Sequence, residues 1–199
     1  MSVTPAELPA WELTLRVTTA DQTHALGAAL GSELQAGDLL VLTGELGAGK
    51  TTFTQGLGEG LGVRAGIISP TFVLVRIHPN LPDGPRPGGP DLVHVDAYRL
   101  GSASEIDDID LENTLDSSVT VVEWGRGRVE HLSESRLEVD LHRAIGLDAG
   151  GAGETIPGHT ETLDFDTEDL DEPRTIVLRG FGPRWPARPA LGGAIEGTL

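Results

Sequence analysis

Apolar and polar positions along this chain fall into short stretches of two periods. From Glu12 to Val17 they alternate, with Leu13, Leu15 and Val17 on one side, which predicts a half-buried strand. Leu26, Ala29, Leu30 and Leu34 then recur at helical spacing. Thr19-Ala20-Asp21-Gln22 ahead of them reads as a capping box, opening a helix that runs to about Gln35. Ala36-Gly37-Asp38 turns the chain into Leu39-Leu40-Val41-Leu42, an uninterrupted apolar run and so a strand buried on both faces. Phe53, Leu57 and Leu61 repeat every four residues and give a second helix ending near Leu61. Gly56, Gly58 and Gly60 each cost that helix about 1 kcal/mol relative to alanine. Gly56 and Gly60 lie four apart, a smooth strip that predicts close packing on a neighbour.

Beyond this point the pattern is that of strands. Within Ile67 to Val75, the β-branched run after Pro70 predicts a strand. Residues 79–91 hold five prolines and three glycines, a hairpin connection with no core potential. Leu92–Asp96 is the return strand. Ser102–Ile109 reads as a short helix capped by Ser102, with Glu105 in its first turn. Val119–Val122 is another buried strand, ending in Glu123-Trp124, and Arg136–Leu141 and Thr175–Leu178 are two late strands. The elements predict one domain over residues 1–181, frayed over 1–10, with a loose tail over 182–199.

Composition adds limits. The chain has 199 residues, no cysteine and a net charge of −17. Nine acids and no Lys or Arg fall within 144–173, too little apolar surface to order itself, so this stretch reads as a flexible insertion in a β-hairpin. Neither the insertion nor the rest carries the basic stripe of an autonomous nucleic-acid binder, so any role on nucleic acid runs through a partner. No stretch approaches 18 apolar residues and the N-terminus has no secretory pattern, which predicts a soluble cytoplasmic protein with no membrane contact.

The buried run at 39–42 leads into Gly44-Glu45-Leu46-Gly47-Ala48-Gly49-Lys50-Thr51-Thr52, the phosphate-loop pattern between a strand and a helix. Glycines let the backbone approach phosphate oxygens, and the helix start adds free N–H groups and the positive end of its dipole. In that pattern Lys50 reaches the β and γ phosphates and the Thr51 hydroxyl ligates Mg²⁺. Lys50 is also the sole lysine; the other 13 basic residues are arginine. A compact ammonium is retained where it meets phosphate.

A nucleoside-triphosphate site needs a further acid for Mg²⁺, usually at the end of a buried strand. Asp96 and Glu123 both end such strands. His78 and His94 lack a second ligand at metal spacing and read as structural. Arg99 is open to a phosphate contact or a surface ion pair, and Trp124 reads as core filling in preference to base stacking.

Four stretches, GELGAGKTTFTQGL (44–57), SPTFVLV (69–75), HVDAYRL (94–100) and VVEWG (121–125), together resemble the TsaE (YjeE) family, the small bacterial ATPases of tRNA threonylcarbamoyladenosine synthesis. The resemblance covers about residues 12–142. It implies a three-layer α/β P-loop NTPase with a mixed parallel/antiparallel sheet, binding ATP and Mg²⁺ through residues 44–52. By resemblance Glu123 shares the metal with Thr51, Asp96 is a second acid needed for hydrolysis, and Ser69-Pro70-Thr71 is a switch-like loop near the γ-phosphate. The implied partners are the TsaD and TsaB proteins, with tRNA met only indirectly. Hydrolysis is expected to be slow alone and faster with those partners. The chain departs from the family pattern at Gly125, where proline is usual, in the longer 79–91 connection, and in the acidic insertion. Two other readings use the same loop: a small-molecule kinase, which needs an acceptor pocket and an arginine-rich lid, and a nucleotide-dependent scaffold without turnover.

Overall fold

The computed structural model describes residues 8–107, 109–143 and 173–191. Seven strands form one sheet: β1 (Trp11–Val17), β2 (Leu39–Gly44), β3 (Val75–His78), β4 (Asp91–Asp96), β5 (Ser118–Glu123), β6 (Arg136–Arg143) and β7 (Arg174–Phe181). Their order is β1-β7-β6-β2-β5-β4-β3. The centre, β6-β2-β5-β4, is parallel, and both edges are antiparallel. Helices α1 (Ala20–Glu33) and α2 (Lys50–Leu61) cover one face; the short α3 (Ala103–Asp107) and α4 (Glu112–Leu115) serve the other. This is the three-layer mixed α/β architecture expected from the sequence.

The all-apolar β2 explains the layering. Leu40 and Leu42 face α1 and α2 and join Leu26, Leu30, Phe53, Leu57 and Leu61 in one core. Leu39 and Val41 face the other way, onto Ile106, Leu111 and Leu115. Each fully buried leucine contributes roughly 1.5–3 kcal/mol. Strand β6, next to β2, alternates instead: Leu137, Val139 and Leu141 point into the first core, while Glu138 and Asp140 point to the opposite face, toward Arg126 and Arg179.

Helix α1 starts where the capping residues placed it, with a variation. Thr19 Oγ1 accepts from Gln22 N at 3.2 Å, but the Gln22 side chain reaches back to Thr18 N, at 2.7 Å, instead of Thr19 N. The helix stops at Glu33, and Leu34 is already extended. Helix α2 ends at Gly62, whose φ of 72° is left-handed, and Val63 N closes on Gly58 O. Its glycine strip packs closely on α1: a Cβ on Gly56 would lie 2.0 Å from His24 O, and one on Gly60 2.1 Å from Ala28 O. Gly27 and Gly31 answer from α1, at 2.3 Å and 2.4 Å from Phe53 O and Leu57 O.

Three expectations are corrected. The run after Pro70 is not strand until Val75: Val73 N and Leu74 N both turn back to Pro70 O, and Leu74 sits at φ 66°. Apolar β-branched residues suggested a strand, but the Thr71 and Ser69 hydroxyls bond Asp96 and hold the segment as a turn. Ser102 does not cap the next helix with its hydroxyl; the Glu105 carboxylate accepts from the Gly101 and Ser102 amides instead. The stretch from Gly182 is not loose at its start. Trp185 is buried, its carbonyl accepts from Trp11 Nε1 at 3.1 Å, and Arg184 donates to both oxygens of buried Asp38. An indole and an ion pair to a buried carboxylate anchor what composition alone made look solvated. The 79–91 connection does join β3 to β4 as a hairpin. The acidic insertion lies outside the described residues, apart from Pro173, and so do 192–199; β6 and β7 on either side of the insertion pair antiparallel from Arg143↔Arg174 onward.

Candidate functional site

The site lies where the parallel strands end. Pairing sets Asp96 opposite Glu123, and Leu42 opposite Glu123 from the other side. Pleat alternation therefore turns Leu92, His94 and Asp96 of β4, with Val119, Val121 and Glu123 of β5, toward the face that carries α2. The apolar members of this set join the α1–α2 core. The polar members, His94, Asp96 and Glu123, gather at the strand ends next to the phosphate loop.

The loop leaves β2 at Gly44 and enters α2 at Lys50. Gly49 is the N-cap residue at φ 97°, a left-handed value that glycine adopts without the Cβ penalty. No side chain caps this helix start, so its first amides stay available to an anion. Lys50 is 6% exposed. Its Nζ donates to Gly44 O at 2.8 Å and Glu45 O at 2.9 Å, and lies 4.2 Å from the centre of the Trp124 ring. Burial pushes the ammonium below its ordinary value of 10.5, while the charges of Glu123 and then Asp96 oppose that shift. Both acids thus act on the same cation.

Asp96 is buried, and both its oxygens are engaged. Oδ1 accepts from Tyr98 N at 2.9 Å; Oδ2 accepts from Thr71 Oγ1 at 2.6 Å and Ser69 Oγ at 3.0 Å. It therefore ties the Ser69–Thr71 turn to the end of β4. Glu123, 3% exposed, accepts at Oε1 from His94 Nε2 at 2.8 Å. Its Oε2 has no hydrogen bond among the described residues. Thr51 lies half-buried in the first turn of α2, followed by Thr52. Glu45, Leu46 and Gly47 are exposed on the outside of the loop, and Ala48 is buried beneath it.

Among the described residues no group of three His, Cys, Asp or Glu side chains forms a metal cage. The donor set fits a different demand. Mg²⁺ takes one or two hard oxygens from protein and fills its octahedron with phosphate oxygens and water. A threonine hydroxyl and a carboxylate with one unbonded oxygen, beside a phosphate loop, match that demand.

Sequence reasoning missed several neighbours. His94, read as structural, is the hydrogen-bond partner of Glu123; the alternation of His94 with Asp96 on β4 was the available signal. Trp124 does pack on the second core, but its ring also meets Lys50 and lies 5.3 Å from the Tyr98 ring at a tilt of 59°. It sits at φ 61°, unusual for a residue with a side chain, and Leu74 across the site shares this feature. Arg99 makes no ion pair among the described residues and lies over the Phe72 ring, 5.9 Å away. Arg86, the one arginine of the 79–91 connection, donates to Gly31 O of α1 at 3.3 Å. Gly125 is buried against Val122, where an added Cβ would come within 2.8 Å.

Comparison with known proteins agrees with this geometry. Residues 17–146 match the family model of the threonylcarbamoyl adenosine biosynthesis protein TsaE. The TsaE protein of Streptomyces coelicolor is 49% identical over 80% of this chain and 91% of its own length. That of Bacillus subtilis is 37% identical over 67% and 79% respectively. The crystal structure of Bacillus subtilis YdiB superposes with a TM-score of 0.59 at 27% identity, covering 88% of this chain and 89% of that one. A phosphate loop in a mixed sheet of P-loop NTPase type and a family match spanning most of the fold lead to one conclusion: the chain belongs to the TsaE family of tRNA threonylcarbamoyladenosine biosynthesis proteins.

Proposed function

We propose that the protein binds and hydrolyses ATP with Mg²⁺, and that this drives a cytoplasmic TsaB–TsaD complex that makes threonylcarbamoyladenosine at position 37 of ANN-decoding tRNAs. The observation that carries this reading is Lys50, buried inside the loop with two carboxylates acting on its charge. An ammonium whose hydrogen bonds go to two loop carbonyls is ready to exchange them for phosphate oxygens, which are stronger, charged acceptors.

In this mechanism the amides of residues 44–52 and Lys50 bind the phosphates. Thr51 and Glu123 would hold Mg²⁺, which would neutralise phosphate charge when bound. Asp96, the second acid needed for hydrolysis, holds Ser69 and Thr71 in the switch-like turn that would respond to the γ-phosphate. Most of the catalysis is positioning and charge stabilisation, as phosphoryl transfer requires.

Two features support action on a protein partner in preference to direct action on tRNA. The net charge of −17 opposes a polyanion. Leu46 and Phe72, each 89% exposed, and Tyr98 at 63% surround the mouth of the site with apolar surface of the kind protein interfaces cover. The kinase reading loses support because Arg86 is turned onto α1.

The test is ATP hydrolysis by wild type, Lys50→Ala and Glu123→Ala, each with and without TsaB–TsaD. Slow turnover alone, faster turnover with partners, and loss in both variants is the expected pattern. Equal rates with and without partners count against the coupling. Phosphoryl transfer to a small acceptor, indifferent to partners, supports the kinase. Normal tRNA modification by Glu123→Ala supports a scaffold.

A further inference from the structure

We infer that His94 is a positioning residue for Glu123: its Nε2–H holds Oε1 of the carboxylate and leaves Oε2 as the oxygen offered to magnesium. The inference rests on the ATP and Mg²⁺ reading above. Three observations carry it. First, the contact is short and dry: 2.8 Å, between side chains that are 0% and 3% exposed. In a low-dielectric site with no competing water, a charge-assisted bond of this kind fixes a rotamer. Second, no other donor reaches the Glu123 carboxylate among the described residues. Lys50, whose charge Glu123 acts on, donates to Gly44 O and Glu45 O and makes no hydrogen bond to Glu123. Without His94 the carboxylate is left buried and unheld. Third, stability alone does not account for a histidine here. His94 Nδ1 is buried with no partner, its ring lying 6.3 Å from that of His78. An unsatisfied buried nitrogen costs roughly 1–3 kcal/mol, a cost that leucine would avoid in the same space.

The sheet explains how the pair arises. Asp96 pairs with Glu123 across the β4–β5 ladder, so His94, two residues earlier on the same face, is the diagonal neighbour of Glu123. Diagonal neighbours on one face are within reach of long side chains. One strand thus supplies Asp96, which holds the Ser69–Thr71 turn, and His94, which holds the other acid.

The experiment uses His94→Leu, His94→Asn and His94→Gln in the full chain, with a fluorescent ATP analogue as probe and binding measured in EDTA and across a Mg²⁺ titration. Leu removes the donor, Asn keeps an amide too short to follow Nε2, and Gln places an amide N–H near the Nε2 position. The expected result is a rise of about 10–100-fold in the Mg²⁺ concentration for half-maximal binding with Leu and Asn. Binding in EDTA stays unchanged, and Gln recovers most of the loss. Unchanged Mg²⁺ dependence in a folded Leu or Asn variant, or a Gln variant no better than either, overturns the positioning role alone. A wild type with no magnesium-dependent binding overturns the ATP reading and this role with it.

Discussion

Replacing Gly56 with alanine tests how the phosphate-loop helix is seated. The new Cβ would lie 2.0 Å from His24 O and 2.9 Å from Ala28 N, against 3.4–4 Å for ordinary contact. Both neighbours are backbone of α1, so no side chain can rotate away. The helices must part by more than about 1 Å locally, and a gap of that size forfeits a quarter to a half of each affected van der Waals contact. Overpacking against backbone falls at the upper end of its usual cost, about 3 kcal/mol. Against this, alanine favours the helix by about 1 kcal/mol. The net is a loss of about 2 kcal/mol, or a melting temperature lower by about 4–8 °C at this chain length. Gly60→Ala, 2.1 Å from Ala28 O, should behave alike. The double variant should lose less than the sum, because the first alanine already separates the helices. Thermal unfolding followed by circular dichroism reads all three. If the single variants melt higher than wild type, propensity has won and the close α1–α2 contact is wrong.

Other outcomes follow from the same contacts. Arg184→Ala leaves Asp38 buried without its arginine and should cost about 1–3 kcal/mol by urea unfolding; no change would mean the Gly182–Trp185 segment is not anchored. Asp96→Ala removes the acceptor of Ser69, Thr71 and the Tyr98 amide. Local opening of residues 69–74 should become easier by about 2 kcal/mol, roughly thirtyfold in hydrogen exchange, while exchange in β2 stays unchanged. Burial, aided by His94 and Arg76, holds the His78 pKa below its ordinary 6.5. The unfolded chain therefore takes up this proton first, so stability falls as pH drops through 6.5 and levels off below the folded pKa. His78→Gln should flatten that part of a melting curve series taken from about pH 7.5 to about pH 5; an unaltered slope would assign the loss to other groups.

Local chemistry made much of the site legible. The apolar run at 39–42, the glycine spacing from Gly44 to Gly49 and Lys50 are contiguous, so strand, loop and helix start could be read together. Asp96 and Glu123 stood out because each ends a buried strand. The Thr19 cap and the Gly56–Gly60 strip were equally local. What stayed hidden depends on partners far along the chain. The turn at 71–74 is held by Asp96, 25 and 27 residues away, and no β-propensity contains that information. His94 and Glu123 meet over 29 residues, once the β4–β5 register is known. Trp185 is fixed by Trp11 across 174 residues, so a Gly- and Pro-rich tail read in isolation looks loose.

The most direct test of the nucleotide site is calorimetric titration of ATP, with Mg²⁺ present, into wild type and Lys50→Ala. Lys50 is the sole lysine and the buried cation of the loop, so losing its charged hydrogen bonds should cost roughly 1.5–3 kcal/mol, or about 10–100-fold in affinity. Wild-type binding that falls by this factor in a folded variant is the predicted result. Equal affinities for the two proteins, or no heat with the wild type, would contradict it.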